Sequence, residues 1–249
     1  MSRLSSDTFF HFTSSEHLIG ILENNFYPRY CAEFSCHSDK VEMAYPMVCF
    51  CDIPLSQISN HISHYGHYGI GLSREWVIKN RLNPIIYLQD ESVLSKKIDG
   101  ILMSNWETAT AVPIAQVIND RDNLIYLAMH TKPYEGTQRR DGSTKSIRFY
   151  DEREWRFIPD IKRIGDEELH IIPKNYTKEQ IEEKNSLLKR HPLVFQPCDV
   201  KYIIIEKEGE RSSMIKKIAR IKSTKNYGKE EIELLKSKII SVEQIVGDF

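Results

Sequence analysis

The chain has 249 residues, of which 41% are hydrophobic and 28% are charged, and its 34 basic residues balance 35 acidic ones. This composition is typical of a globular protein and excludes a disordered or fibrous chain, and the balanced charge excludes a protein that is basic throughout and coats nucleic acid. Five cysteines at uneven spacing argue against a secreted disulfide framework. The sequence also lacks a signal-peptide-like segment and an apolar run long enough to span a membrane, so it predicts a cytoplasmic protein with free thiols.

The N-terminal part of the chain alternates between strand-like and helix-like patterns. An aromatic run at residues 8–12 predicts a buried strand, and apolar residues at helical spacing over 18–22 predict a short amphipathic helix. Residues 46–51 predict a second strand, and the helical pattern at 55–62 follows it. A glycine-rich stretch at 64–72 leads into a third strand.

The rest of the chain mixes strands and helices without a regular order. The predicted strands are residues 85–88, 146–159, 200–206 and 239–246. The predicted helices are residues 91–128 with a break near Pro113, 177–190 with a capping box from Thr177 and Gln180, 212–221 and 230–238, and residues 132–145 are predicted to be a mobile loop. This irregular order predicts an α+β fold in a single domain over residues 1–249, with a core at about 8–206 and a C-terminal basic helical elaboration at about 207–249.

His11 stands on the first predicted strand, next to Phe10 and Phe12 and two residues before Thr13. A histidine beside a hydroxyl group can line a pocket and bind a hydroxyl group of a ligand. Taken alone, the pattern favours a histidine that is satisfied within the core.

Glu152 and Glu154 lie in the run Tyr150–Arg156, which also contains Arg153. Because residues two apart share one face of a strand, the two carboxylates are predicted to point the same way. Adjacent like charges cost free energy unless a ligand or cation uses them, and a partly buried carboxylate is typical of an active site. Ion pairs with the arginines, or a solvated charged face, are the alternatives.

His61, His64 and His67 recur every three residues after Cys49 and Cys51. Such spacing can bind a transition metal on a helix, but Gly66 interrupts it, so surface and core histidines are favoured over a metal-dependent nuclease-like site. Cys31, Cys36 and His37 match no zinc spacing.

The segment from Arg211 to Lys229 contains cations and no acidic residue. Its apolar residues fall on one helical face, so the cations form the outer face. A solvated helix is one interpretation, and the other is a patch that binds nucleic-acid phosphates through Lys216, Lys217, Arg220 and Lys222. There is no phosphate loop or nucleophile elbow, and the cluster Gly66, Gly69 and Gly71 precedes a strand, which excludes the common dinucleotide fingerprint.

Several of these segments, in this order, resemble known families. The segment Phe9–Thr13 and the helix after it resemble the opening His-x-Thr strand and helix of DarT-like ADP-ribosyltransferases. The segments Met47–Ser56 and His64–Trp76 resemble the AbiGi family of phage abortive-infection proteins, and Tyr150–Arg156 resembles a glutamate-containing final strand. The AbiGi resemblance covers roughly the first 160 residues.

The resemblance to ADP-ribosyltransferases implies a split β-sheet core with flanking helices that binds NAD as a substrate. It assigns the nicotinamide-side ribose to His11, the nicotinamide amide to Thr13, and the ribose 2′-hydroxyl and developing cation to Glu154 or Glu152. The strand Val48–Cys51 lacks the tyrosine of poly-ADP-ribose polymerases, so Phe50, Tyr65 or Tyr68 takes the place of the ring that stacks on nicotinamide.

The resemblance therefore implies a mono-ADP-ribosyltransferase toxin of a phage-defence system that modifies a nucleic acid or a protein and has a cognate antitoxin. AbiGi proteins are also described as antitoxins, which implies the alternative of a non-enzymatic interaction protein on the same fold.

Overall fold

The computed structural model describes residues 6–34, 42–98, 123–140, 143–161, 163–164, 167–168 and 175–248. Its strands are β1 (Thr8–Thr13), β2 (Arg29–Phe34), β3 (Glu42–Cys51), β4 (Tyr68–Ser73), β5 (Asn83–Pro84), β6 (Ile86–Leu88), β7 (Thr131–Pro133), β8 (Gly136–Arg140), β9 (Ser143–Ile147), β10 (Glu154–Phe157), β11 (Arg163–Ile164), β12 (Glu167–Glu168), β13 (Val200–Ile205) and β14 (Ile239–Ser241). Its helices are α1 (Ser15–Asn24), α2 (Ser59–Tyr65), α3 (Arg74–Lys79), α4 (Lys178–Leu188), α5 (Arg211–Lys225), α6 (Lys229–Ser237) and α7 (Val242–Asp248). Residues 93–98 and 123–128 are also helical, while Cys36, His37 and the predicted break at Pro113 lie outside the described residues.

The chain forms two compact units, and the predicted mixed α+β class is confirmed. The first unit comprises residues 1–27, 48–82 and 191–249, and the second comprises residues 28–47 and 83–190. The helices predicted as a C-terminal elaboration therefore belong to the same unit as the N-terminal strand. No helix in the described ranges is both long and apolar enough to cross a membrane.

The first unit is built on a sheet with the strand order β14, β13, β4, β1 and β3. Neighbouring strands are antiparallel except β13 and β14, which are parallel. β1 has both faces covered: Phe10 and Phe12 join an apolar cluster with Ile58, Ile62 and Ile204. Because strand side chains alternate between faces, His11 is directed to the opposite side.

The second unit contains smaller strand pairs. β2 pairs with the beginning of β3, β10 with β5, β8 with β9 and β11 with β12, all antiparallel, and β6 pairs with β7 in parallel. The prediction of a mobile loop at residues 132–145 is wrong, because β7 and the β8–β9 hairpin lie there. The hairpin sequence is mostly polar, so it lacks the apolar alternation by which strands are recognised.

The prediction of one final strand over residues 239–246 is also wrong. β14 ends at Ser241, and α7 follows at once. The Ser241 hydroxyl accepts from the Gln244 amide N–H at 3.1 Å, and the Gln244 side chain accepts from the Ser241 N–H at 3.2 Å. This reciprocal pair of hydrogen bonds is a capping box. Ser241 and Gln244 therefore begin a helix at the point where the predicted strand would continue.

The capping box predicted at Thr177 is confirmed, and it gives a test of local helix stability. The Thr177 hydroxyl accepts from the Gln180 backbone N–H, and the Gln180 side-chain oxygen accepts from the Thr177 backbone N–H at 2.8 Å. We expect Thr177→Ala to lower the free energy of unfolding by about 1 kcal/mol, because it leaves an amide at the start of α4 without its acceptor. Urea denaturation followed by circular dichroism measures the change. Thr177→Ser keeps the hydroxyl and should retain most of the stability, and equal losses in both variants would contradict the capping role.

Candidate functional site

His11 is held in a defined orientation within the first unit. Its Nδ1 lies 2.8 Å from the carbonyl oxygen of Cys49 on β3. Burial lowers the pKa of His11 below its ordinary value of 6.5, although the Cys49 hydrogen bond opposes this. A neutral imidazole with a carbonyl at Nδ1 must carry its proton there, so Nε2 is the acceptor nitrogen.

The His11 ring belongs to an aromatic cluster. Its centroid lies 5.3 Å from that of Phe26 and 5.7 Å from that of Phe50. The Phe50 ring also packs against Trp76, with centroids 5.5 Å apart, and Phe50 is only 2% exposed. The resemblance assigns Phe50 to nicotinamide, but its ring packs against side chains of the protein itself.

The other residues assigned to NAD binding in this unit lie near the end of β1. Thr13 pairs with Tyr68 across β1 and β4. The Tyr68 hydroxyl donates to Glu210 at 2.7 Å, and burial together with this bond raises the pKa of Tyr68 to about 12. Tyr65 packs its ring against His61 at 5.1 Å.

Glu152 and Glu154 lie in the second unit and converge on one ammonium group. Lys132 Nζ is 2.6 Å from Glu152 Oε2 and 3.0 Å from Glu154 Oε2. The three side chains are 12%, 10% and 7% exposed, respectively. Two carboxylates buried to this degree without a cation would be strongly unfavourable, and Lys132 supplies the compensating charge.

Arg156 completes this arrangement from the same strand as Glu154. Its Nε donates to Glu154 Oε1 at 2.6 Å, its Nη2 to Glu33 Oε1 at 2.6 Å, and its Nη1 to the carbonyl oxygen of Met129 at 2.6 Å. The guanidinium side chain is 0% exposed. We call Glu33, Lys132, Glu152, Glu154 and Arg156 the charge cluster.

The prediction that Glu152 and Glu154 share one face of a continuous strand over residues 146–159 is wrong. Residues Phe149–Glu152 form a 3₁₀ turn, and β10 begins only at Glu154. Between them, Arg153 adopts a left-handed conformation with φ of 46°. This turn, rather than strand alternation, brings both carboxylates to Lys132. The alternative of ion pairs with the arginines holds for Arg156, which binds Glu154.

Sequence reasoning missed Lys132 and Glu33. Lys132 fell in the segment interpreted as a mobile loop, and Glu33 lies on the unpredicted strand β2. The available signal was indirect: two neighbouring glutamates beside partly buried aromatic residues indicate that a cation lies close to them. The sequence does not indicate which of the 34 basic residues provides it.

The histidines and cysteines considered for metal binding have other contacts. His61 packs against Phe12 at 5.9 Å, and His67 Nδ1 lies 3.8 Å from a Glu206 carboxylate oxygen. Cys49 and Cys51 are on β3, as predicted. Within the described ranges, no group of three or more His, Cys, Asp and Glu side chains is placed to hold a metal ion.

The basic segment near the C-terminus forms α5. Met214, Ile218 and Ile221 are buried, and Lys216, Lys217 and Arg220 are exposed, so the predicted division into an apolar and a cationic face is confirmed. The side chain of Lys222 lies outside the described residues. Arg211, at the beginning of α5, is bound to Glu208.

The candidate residues are thus distributed over the two units, with His11, Thr13, Phe50, Tyr65 and Tyr68 in the first and Glu152 and Glu154 in the second.

The sequence matches a described protein family and a named relative. The model of a family described as "Putative abortive phage resistance protein AbiGi, antitoxin" matches residues 24–206. The chain is 30% identical over 228 residues to an "Abortive phage resistance protein AbiGi" of Lactococcus lactis subsp. cremoris. The aligned region covers 82% of this chain and 88% of that relative. No solved structure matches the chain.

Proposed function

Because this chain belongs to the AbiGi family of abortive phage resistance proteins, we propose that it is the antitoxin of a phage-defence toxin–antitoxin pair. In this role, it binds a cognate toxin protein and restrains it until infection. The description of the family as an antitoxin supports the proposal. An antitoxin needs a stable binding surface and no reactive group of its own.

The observation that carries this proposal is the state of Glu154. Its Oε1 accepts from Arg156 at 2.6 Å and its Oε2 accepts from Lys132 at 3.0 Å, and its side chain is 7% exposed. A carboxylate that stabilises a developing cation on a substrate has to direct its charge towards that substrate. Here, both oxygens of Glu154 are directed towards cations of the protein, which favours a structural role for this side chain.

Co-expression in bacteria tests the antitoxin role. We expect expression of the chain alone to leave growth unchanged, and we expect co-expression with the toxin of the same defence system to restore growth that the toxin arrests. The purified pair should also elute as one complex in size-exclusion chromatography. Growth arrest by the toxin that persists at equal levels of soluble antitoxin would overturn the proposal.

An NAD-dependent mono-ADP-ribosyltransferase is the second candidate, and the geometry of His11 favours it. The Cys49 carbonyl fixes the tautomer, so the acceptor nitrogen Nε2 is held ready for a ribose hydroxyl of NAD. In this reaction the bond between ribose C1′ and the nicotinamide nitrogen breaks, and nicotinamide leaves with the electron pair. An acceptor atom on a nucleic acid or protein bonds to C1′ and gives its proton to a carboxylate, Glu154 or Glu152, or to water. The exposed cations of α5 would hold a nucleic-acid acceptor.

Conservative variants separate the two candidates. Glu154→Ala leaves Arg156 and Lys132 with less compensation in a buried place, so a loss of activity could reflect unfolding. Glu154→Gln removes the charge that catalysis requires and retains one oxygen, which can accept from Arg156 or from Lys132 but not from both. Its urea midpoint is therefore compared with that of the unmodified chain before its activity is interpreted. The transferase predicts NAD binding by calorimetry and nicotinamide release that Glu154→Gln or Glu152→Gln reduces at least about 100-fold. The antitoxin predicts neither NAD binding nor nicotinamide release, and it predicts toxin neutralisation by each of these variants that remains folded.

A further inference from the structure

A pocket of about 530 Å³ lies in the first unit, and none of the residues that line it is assigned to NAD or belongs to the charge cluster. It is lined by β13, β14, the end of α6 and the beginnings of α5 and α7. Its volume is within the range of small-molecule sites. Nothing in the proposed functions uses it.

Two lysines contribute to the polar lining of the pocket. Lys201 and Lys238 both line it and interact repulsively, since Lys201 contributes, after burial, to lowering the pKa of Lys238. Lys238 Nζ donates to the carbonyl oxygen of Val200 at 2.6 Å, which fixes its position. In the described part of the chain, no carboxylate oxygen lies within 4.0 Å of Lys201 Nζ. Hydrogen bonds at the start of α3 and, more weakly, the charge of Lys201 lower the pKa of Glu75, but no ion pair joins Glu75 to Lys201. Two neighbouring cations without a bound carboxylate at Lys201 favour the binding of an anion.

Further groups give the pocket hydrogen-bonding capacity and an apolar wall. Gln244 Oε1 accepts from Arg211 Nη2 at 2.7 Å and from the Ser241 N–H at 3.2 Å, which directs its amide NH₂ elsewhere as a donor. The Arg211 charge is itself balanced by Glu208, at 2.8 Å from Nη2. Tyr202 and Ile240 supply the apolar wall, and the Tyr202 ring is supported by Phe10, with centroids 6.0 Å apart.

We propose that this pocket binds a small phosphate ester, with the phosphate at Lys201 and Lys238 and the organic part against Tyr202 and Ile240. Lysine ammonium groups bind phosphate as point charges, and an aromatic and aliphatic wall suits a planar organic group such as a nucleobase. The pocket is open to solvent on one side, so a short single-stranded RNA is included in the test as the competing ligand. The proposal does not depend on either function proposed above.

Isothermal titration with adenosine 5′-monophosphate, inorganic phosphate and adenosine tests this site on the full chain. We expect the monophosphate to bind, adenosine to bind at least about tenfold more weakly, and Lys201→Met to weaken monophosphate binding roughly tenfold. Lys201→Arg should restore most of the affinity. Lys79→Met is the matched control, because Lys79 is an exposed cation at the end of α3 and does not line the pocket, and it should bind as the unmodified chain does.

Three results would overturn the proposal. They are the absence of monophosphate binding to the unmodified chain at millimolar concentration, equal affinity in Lys201→Met, and binding of a short single-stranded RNA but not of the monophosphate. Equal affinity for inorganic phosphate and the monophosphate would support the cationic half of the site and contradict the role of Tyr202. Because the pocket residues are not those assigned to NAD, nicotinamide release tests the transferase separately.

Discussion

Replacing Arg156 with methionine will lower the free energy of unfolding by about 3–5 kcal/mol, because a buried ion pair that loses one partner leaves an uncompensated charge. The guanidinium group is 0% exposed and serves Glu154, Glu33 and the Met129 carbonyl at once. Methionine fills part of the volume but donates no hydrogen bond. Urea denaturation followed by circular dichroism measures the loss.

Arg148→Met is the matched control for this prediction. Arg148 pairs with Asp151 at 2.8 Å, but the two side chains are 55% and 57% exposed. Solvent screens an exposed pair, so its loss should change stability by less than about 1 kcal/mol. If Arg156→Met were as stable as Arg148→Met, the charge cluster would not be a structural element of the second unit.

The second large effect is expected for Gly66→Ala, which should destabilise the protein by about 2–3 kcal/mol or more. Gly66 ends α2 with φ of 113°, a conformation that residues with a Cβ rarely adopt. A Cβ built there would lie 2.3 Å from the carbonyl oxygen of Thr13, which is backbone and cannot rotate away. Either β1 or the start of β4 would have to shift.

Gly20→Ala provides the control for this substitution. Gly20 lies within α1, and a Cβ at this position meets no atom within 4 Å. Alanine is the better helix former, so this variant should gain about 0.5–1 kcal/mol. Thermal or urea unfolding of both variants measures the contrast, and a Gly66→Ala protein as stable as the unmodified chain would contradict a close approach of Gly66 to the Thr13 carbonyl oxygen.

Several elements of the fold could be predicted from local patterns of the sequence. Phe10 and Phe12 alternate as strand residues do, and Met214, Ile218 and Ile221 recur at the helical period, so β1 and the buried face of α5 could be predicted. The Thr177 capping box is equally local. Each of these features is determined by residues a few positions apart.

The charge cluster could not be predicted because its geometry is not local. Lys132 reaches Glu152 across 20 residues of sequence, and Glu33 reaches Arg156 across 123. The left-handed Arg153 also breaks the strand alternation on which the interpretation of Glu152 and Glu154 rested. The AbiGi resemblance is confirmed by the comparisons, whereas the ADP-ribosyltransferase activity and its NAD-binding residues stay predictions.

Expression of the chain alone, with growth and intracellular NAD followed together, tests the central claim most directly. The antitoxin role, with Glu154 held by Lys132 and Arg156, predicts normal growth and an unchanged NAD level. Growth arrest with NAD depletion that Glu154→Gln abolishes, in a variant that unfolds at the same urea concentration as the unmodified chain, would contradict it and establish the transferase instead.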